Sequence, residues 1–159
     1  MDEMQHYIDQ HRLLHANPKE FRGRSLLAHI PAVDTLLQTH NCDSILDYGC
    51  GKAQCWPTQW QGRITGYDPA YAPYASRPQG LYDMVICTDV LEHVPASAVD
   101  RVIADIFEYR AKWAYINIST RRSDHCLPDG TNKHVTVQDR DWWDQRLAAY
   151  DRYTVVYTQ

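Results

Sequence analysis

The chain has 159 residues, 44% hydrophobic and 23% charged, the composition of an ordinary soluble domain with room for one sizeable core and little room for a second. Sixteen Lys and Arg against twenty Asp and Glu leave a net charge of −4 with no basic run, so nucleic acid is not favoured as a partner. Five cysteines without CxxC spacing argue against a disulfide framework or a cysteine zinc site, and the acidic start and short apolar runs argue against a secretory signal or a membrane span, which predicts a cytoplasmic protein.

Residues 3 to 15 place Met4, Tyr7, Ile8 and Leu14 at helical spacing, and beyond Asn17-Pro18 the pattern returns in Leu26, Ile30, Val33 and Leu37. Two N-terminal helices are predicted, with a kink or interruption at Pro31. Residues 1–40 thus read as a helical cap on a core of residues 41–159, within a single domain. His11 and His15 lie four apart on the first helix, at a core edge or a pocket lid.

Ser44 to Asp47, Arg63 to Asp68, Tyr82 to Cys87 and Trp113 to Ile118 read as strands, the last two nearly continuous in apolar character, as in strands covered on both faces. Between them Val99, Val102, Ile103, Ile106 and Phe107 define an amphipathic helix. Asp139 is a candidate cap for a later helix with Trp143, Leu147 and Tyr150, and Tyr153 to Thr158 alternates like a strand. The fold class is α/β, a shortened, doubly wound, mostly parallel sheet. Ser119 to His134 shows no period, a length typical of lids and binding loops.

Asp47-Tyr48-Gly49-Cys50-Gly51 falls where a strand should turn into a helix, a place where missing β-carbons let a ligand approach the backbone. Asp68 ends the next strand 21 residues after Asp47, close to the spacing of about 20 at which a carboxylate meets ribose hydroxyls. A dinucleotide fingerprint would need a third glycine where Gln54 stands, and no phosphate-loop signature occurs.

The segments ILDYGCGKA, GYDPA and YDMVICTDVLEHVP resemble the successive motifs of class I S-adenosylmethionine-dependent methyltransferases, over residues 44 to about 120. The resemblance implies a Rossmann-like methyltransferase fold and S-adenosylmethionine as cofactor. It implies that Asp47, Tyr48, Gly49 and Gly51 form the first motif, that Asp68 with Pro69 holds the ribose, and that Thr88 and Asp89 stand beside the reacting centre. Two departures stand out. Ala53 replaces a frequent glycine, asking only for slightly more space, and only 15 residues separate Asp68 from Asp83, where most relatives fit a further helix and strand. The sheet is therefore expected to be short on that edge, which a homodimer could cover. Tyr71 or Tyr74 could stack on adenine or simply pack the loop.

Asp89, Glu92 and His93 have the i, i+3, i+4 spacing of one helical face, and His134 closes the long loop. The arrangement is similar to the metal site of small-RNA 2′-O-methyltransferases and ubiquinone-pathway O-methyltransferases, which carry Glu at the position of Asp89. That implies a divalent metal, Mg, Mn or Zn, on Asp89, Glu92, His93 and His134. In metal-independent members of the family such residues line the pocket or cap the helix. Glu92, His93 and His134 are the expected catalytic residues. Arg121 and Arg122 could clamp an acidic acceptor, and Trp142 could form a stacking wall, whereas Trp143 fits the core. The expected activity is methylation, at oxygen, of a small-molecule or glycan/metabolite acceptor; the alternatives are a metal-dependent RNA 2′-O-methyltransferase and a catalytically inactive binding module.

Overall fold

The computed structural model describes residues 2–159. Strands β1 (Ile45–Tyr48), β2 (Ile64–Tyr67), β3 (Tyr82–Thr88), β4 (Arg110–Ser119) and β5 (Tyr153–Thr158) form one parallel sheet in the order β2-β1-β3-β4-β5. Helices α1 (Glu3–His15), α2 (Ile30–Thr39), α3 (Ala96–Tyr109) and α4 (Arg140–Leu147) accompany it.

Side-chain alternation along the strands builds two cores. Leu46, Val85, Cys87, Ile116 and Ile118 pack with Val99, Ile103 and Ile106 of α3 and with Trp143 and Leu147 of α4. Ile45, Met84, Ile86 and Tyr115 pack on the other side with Val33 and Leu37 of α2. The central strands are buried on both faces, which is why they read as continuous apolar runs. α3 buries the five residues that define its apolar stripe, each contributing on the order of 1.5–3 kcal/mol. At the N-terminus of α4, Asp139 accepts a hydrogen bond from the Trp142 amide, the cap the sequence predicts.

The second N-terminal helix is interrupted, as Pro31 foretells. A 3-10 turn over Arg24–Ala28 ends at His29, and α2 begins at Ile30 with Pro31 in its first turn, where a missing N–H costs no intrahelical bond. α2 packs on the sheet; only α1 and the linker after it reach the C-terminal ends of the strands.

The helix expected after the glycine loop does not form. Pro57 interrupts the segment, which runs through turns to a single 3-10 turn at Thr58–Trp60, and two indoles anchor it: Trp56 Nε1 donates to Asp47 at 2.7 Å and Trp60 Nε1 to Asp34 at 2.7 Å. Between β2 and β3 there is likewise only a 3-10 turn, Ala72–Tyr74, and β2 is an edge strand. The sheet is short on the edge where the spacing of Asp68 and Asp83 predicts it.

Strand order reverses between β1 and β3, and in open α/β sheets the crevice outside such a point is where ligands bind. Here the crevice is closed from above by the linker 16–25. Gly51 has φ +55, and a β-carbon on it would lie 2.4 Å from the Phe21 carbonyl oxygen. Through that gap the Lys52 amide donates to Phe21 O at 2.7 Å and the Gln54 amide to Arg22 O at 3.0 Å. Lys52 Nζ adds bonds to the carbonyls of Asn17 and Glu20.

Gly51 and Gly62 therefore respond differently to a methyl group. Gly62 also has positive φ but has nothing within 4 Å of a built β-carbon, so Gly62→Ala should cost only the backbone penalty of about 1–2 kcal/mol. Gly51→Ala must also displace Phe21. Urea unfolding should show the larger loss for Gly51→Ala, and trypsin should cut its linker at Lys19, Arg22 and Arg24 faster than in Gly62→Ala; equal cleavage would refute the docking role of Gly51.

Candidate active site

A cavity of about 360 Å³ fills the crevice, within the range of small-molecule sites. Its floor is Gly49, Cys50, Gly51, Asp68, Pro69, Thr88 and Asp89, its roof α1 and the linker, and its side wall Ser123, His125, Lys133 and His134 of the long loop. Lys133 joins roof to wall, its Nζ 2.6 Å from Glu20 Oε2 and 4.7 Å above the Phe21 ring.

At one end stands Asp68. Its Oδ2 accepts from the Gly51 amide at 2.9 Å and its Oδ1 from the Ala70 amide at 2.9 Å, so the carboxylate ties the glycine loop to the turn after β2 and keeps a lone pair on each oxygen. Burial raises its pKa, and those amides oppose the rise. Above it His15 stacks on Tyr71 at 4.8 Å with Nε2 3.9 Å from Asp68 Oδ1. His15 Nδ1 is buried without a partner.

At the centre, Asp89, His93 and His134 bring one ligand atom each within 4.8 Å of one another. His93 Nδ1 lies 2.9 Å from the Lys133 carbonyl and His134 Nδ1 2.6 Å from the Arg121 carbonyl. A carbonyl only accepts, so both Nδ1 atoms carry hydrogen, and both Nε2 atoms face Asp89 Oδ1, at 3.9 and 4.0 Å. Burial alone would raise the Asp89 pKa; His93 and His134 overcome it and hold it below the usual range. Burial opposes the charge of His93, but Asp89 and Glu92 raise its pKa, whereas burial lowers that of His134. Asp89 is held at φ +59, a strained conformation of the kind that clusters at functional sites. Roof and centre meet where His11 Nε2 lies 3.4 Å from His93 Nδ1.

Several residues proposed from the sequence stand elsewhere. Asp47 is buried beneath the loop and accepts from Trp56; burial pushes its pKa up to about 7. Tyr48 points into the α3 core and donates to Asp105 at 2.7 Å. Neither lines the cavity. Glu92 does not line the cavity, although it neighbours Asp89 and His93 electrostatically; Asp89 is left-handed and stands outside the 3-10 turn Leu91–His93. Its Oε1 accepts from the Ser119 amide at 2.7 Å, and it stays outside the three-residue cluster. Tyr71 and Tyr74 do not line the cavity; Tyr74 lies against Trp56. Arg121 pairs with Asp124 on the surface, Arg122 is also outside, Trp143 is core and Trp142 carries Arg146 on its face. Ala53 adopts φ +53, so a glycine suits that position for its conformational freedom rather than for space.

The sequence reading did not single out Lys19, Arg22, Arg24 or Lys133, which bring positive charge to the cavity. The available signal was FRGR, a glycine between arginines just ahead of an apolar helical pattern.

Over residues 4–156 the chain matches the model of a family described as a methyltransferase domain, and it belongs to that family. With its parallel sheet and ligand crevice it is a class I S-adenosylmethionine-dependent methyltransferase. No curated protein and no solved structure matches the chain. Among the described residues no helix is long and apolar enough to cross a membrane. The site fits an S-adenosyl group: the glycine loop presents backbone, Asp68 has acceptor capacity for a diol, and the unpartnered His15 Nδ1 lies in a side chain that lines the cavity.

Two outcomes follow. Asp68→Ala should weaken S-adenosylhomocysteine binding at least roughly tenfold by calorimetry, since hydrogen bonds to a charged group are worth about 1.5–3 kcal/mol. His15 is held neutral, its pKa lowered from 6.5 to about 4 by burial and by Lys52. A histidine whose folded pKa is depressed stabilises the docked state above its free value and loses that contribution as pH falls from 6.5 toward 4. His11, on the same helix, is lowered to about 4 by burial and by His93, so amide exchange in α1 should rise, beyond the intrinsic rate, between pH 7 and pH 5; His15→Gln should reduce the rise and the double change with His11→Gln should flatten it.

Proposed function

We propose that the protein transfers a methyl group to an oxygen atom of a small-molecule or glycan/metabolite acceptor. The observation that carries this reading is the convergence of two imidazole Nε2 atoms on Asp89 at the centre of the cavity. S-adenosylmethionine supplies, when bound, an electrophilic sulfonium methyl, and a hydroxyl acceptor must lose its proton as it attacks. His134, kept neutral by burial, offers Nε2 as the proton acceptor. His93 and Asp89 form the charged pair that orients it, and the Lys133 and Arg121 carbonyls fix both rings. Glu92 positions the end of β4 through the Ser119 amide. Lys19, Arg22 and Arg24 suit the carboxylate of the cofactor's methionine part.

A second reading rests on the same residues. Two histidines and one carboxylate, each histidine donating its other nitrogen to a backbone carbonyl, is a donor set that suits Mn, Fe or Zn, or Mg with added waters. In that case the cation, rather than His134, would stabilise alkoxide character on the acceptor. The net charge of −4 and the roof formed by α1 weigh against RNA as that acceptor.

The test is turnover with S-adenosylmethionine and a panel of hydroxyl, amine and thiol acceptors, with products located by mass spectrometry. A methyl ether or ester is expected, with His134→Ala and Asp89→Asn lowering kcat by about 10²–10⁴, the range of general acid–base catalysis. Methyl groups found only on nitrogen or sulfur would refute the reading. Activity lost to a chelator and restored by Mn would select the cation.

A further inference from the structure

The roof of the cavity has a direction. Met4, Ile8, His11 and His15 lie on one face of α1 with Tyr7 beside them, and all five line the cavity. His15 lies over Asp68 and His11 over His93, so α1 runs from the ribose-type carboxylate across the reacting centre. It then continues to a third station formed by Tyr7, Ile8 and Met4. At 1.5 Å per residue that station extends roughly 4 to 10 Å past His11.

Its chemistry differs from the rest of the cavity. Met4 packs against the cluster that contains Val94, which also lines the cavity, so apart from the Tyr7 hydroxyl this end is apolar on both sides. The cavity's cations lie elsewhere: Lys19, Arg22 and Arg24 follow the far end of α1, and Lys133 is paired with Glu20. The outer end of α1 is fastened to the long loop, where the Asp129 amide donates to Gln10 and its carboxylate meets His6 at 2.8 Å.

We infer that the acceptor is a small molecule with an apolar body, a single aromatic ring or a short alkyl chain, that carries its hydroxyl toward His134. This rests on the oxygen-methylation reading above and narrows it. The acceptor oxygen forms a C–O bond to the methyl carbon as the C–S bond breaks; the bonding pair stays on sulfur and the hydroxyl proton passes to His134 Nε2. A sugar would bury hydroxyl groups against Met4, Ile8 and Val94 without partners, which is costly. A polymer would have to thread beneath a helix fastened at both ends.

The experiment uses the full chain saturated with S-adenosylhomocysteine and measures binding of p-cresol, D-glucose and uridine by saturation-transfer NMR. p-Cresol should bind at least roughly tenfold more tightly than the other two, the scale set by apolar burial in a pocket. Ile8→Glu should abolish that preference, while Leu13→Glu, on the exposed side of α1, should keep it. Glucose or uridine binding as well as p-cresol, or a preference that survives Ile8→Glu, overturns the inference while leaving the methylation site intact. Failure of the wild type to bind S-adenosylhomocysteine in a separate titration overturns the site reading and this inference with it.

Discussion

Much of the site depends on a single close approach between two backbones. Where Gly51 lacks a side chain, the carbonyl of Phe21 enters, and the amides of Lys52 and Gln54 close on the linker. This contact sets where α1 emerges and therefore which of its residues face the crevice. With the linker seated, His11 meets His93 and His15 sits above Asp68. The glycine serves the chain's own packing as well as the approach of a ligand, two demands satisfied by the same missing atom.

The polar site is carried on a largely apolar frame. Leu46, Val85 and Ile116 hold the strands, and the polar side chains of the cavity come from where β2 and β3 end and from the long loop after β4. There the carboxylates are committed to main-chain amides: Asp68 to Gly51 and Ala70, Glu92 to Ser119. Such bonds fix side chains before any ligand arrives, which lowers the entropic cost of assembling the reactive arrangement. Of the non-glycine residues with positive φ among the described residues, Phe21, Ala53 and Asp89 lie around the crevice, and Asn41 and Arg152 lie away from it.

The strands were legible because burial on both faces leaves continuous runs such as Met84-Val85-Ile86-Cys87, and α3 because its stripe has the helical period. Gly49, Gly51, Asp68, Thr88 and Asp89 were legible as cavity residues because motif spacing encodes where strands end. Asp47 and Tyr48 were not, because membership of a motif does not say which way a side chain points, and in a strand successive side chains point to opposite faces. Glu92 falls outside the cluster because helical spacing does not apply across this segment: Asp89 is left-handed and stands outside the Leu91–His93 turn, so no regular period relates the two side chains. The missing helix after Gly51 reflects tertiary anchoring by Trp56 and Trp60, to carboxylates that local pattern cannot pair with them. Lys133 reaches Glu20 only through folding, so nothing local marks it, whereas Arg22 and Arg24 stand in the FRGR segment.

α1 buries no side chain completely, and beyond the packing of Met4 on the core its outer end is held by contacts on the surface. Asp2 faces Arg101 at 3.8 Å with both side chains exposed, and His6 shares a hydrogen bond with Asp129. The Asp2–Arg101 attraction, exposed on both sides, is weakened by salt, whereas apolar packing in the sheet is not. Salt therefore weakens one of the fastenings at the outer end of the roof and leaves the packing of the sheet beneath it untouched.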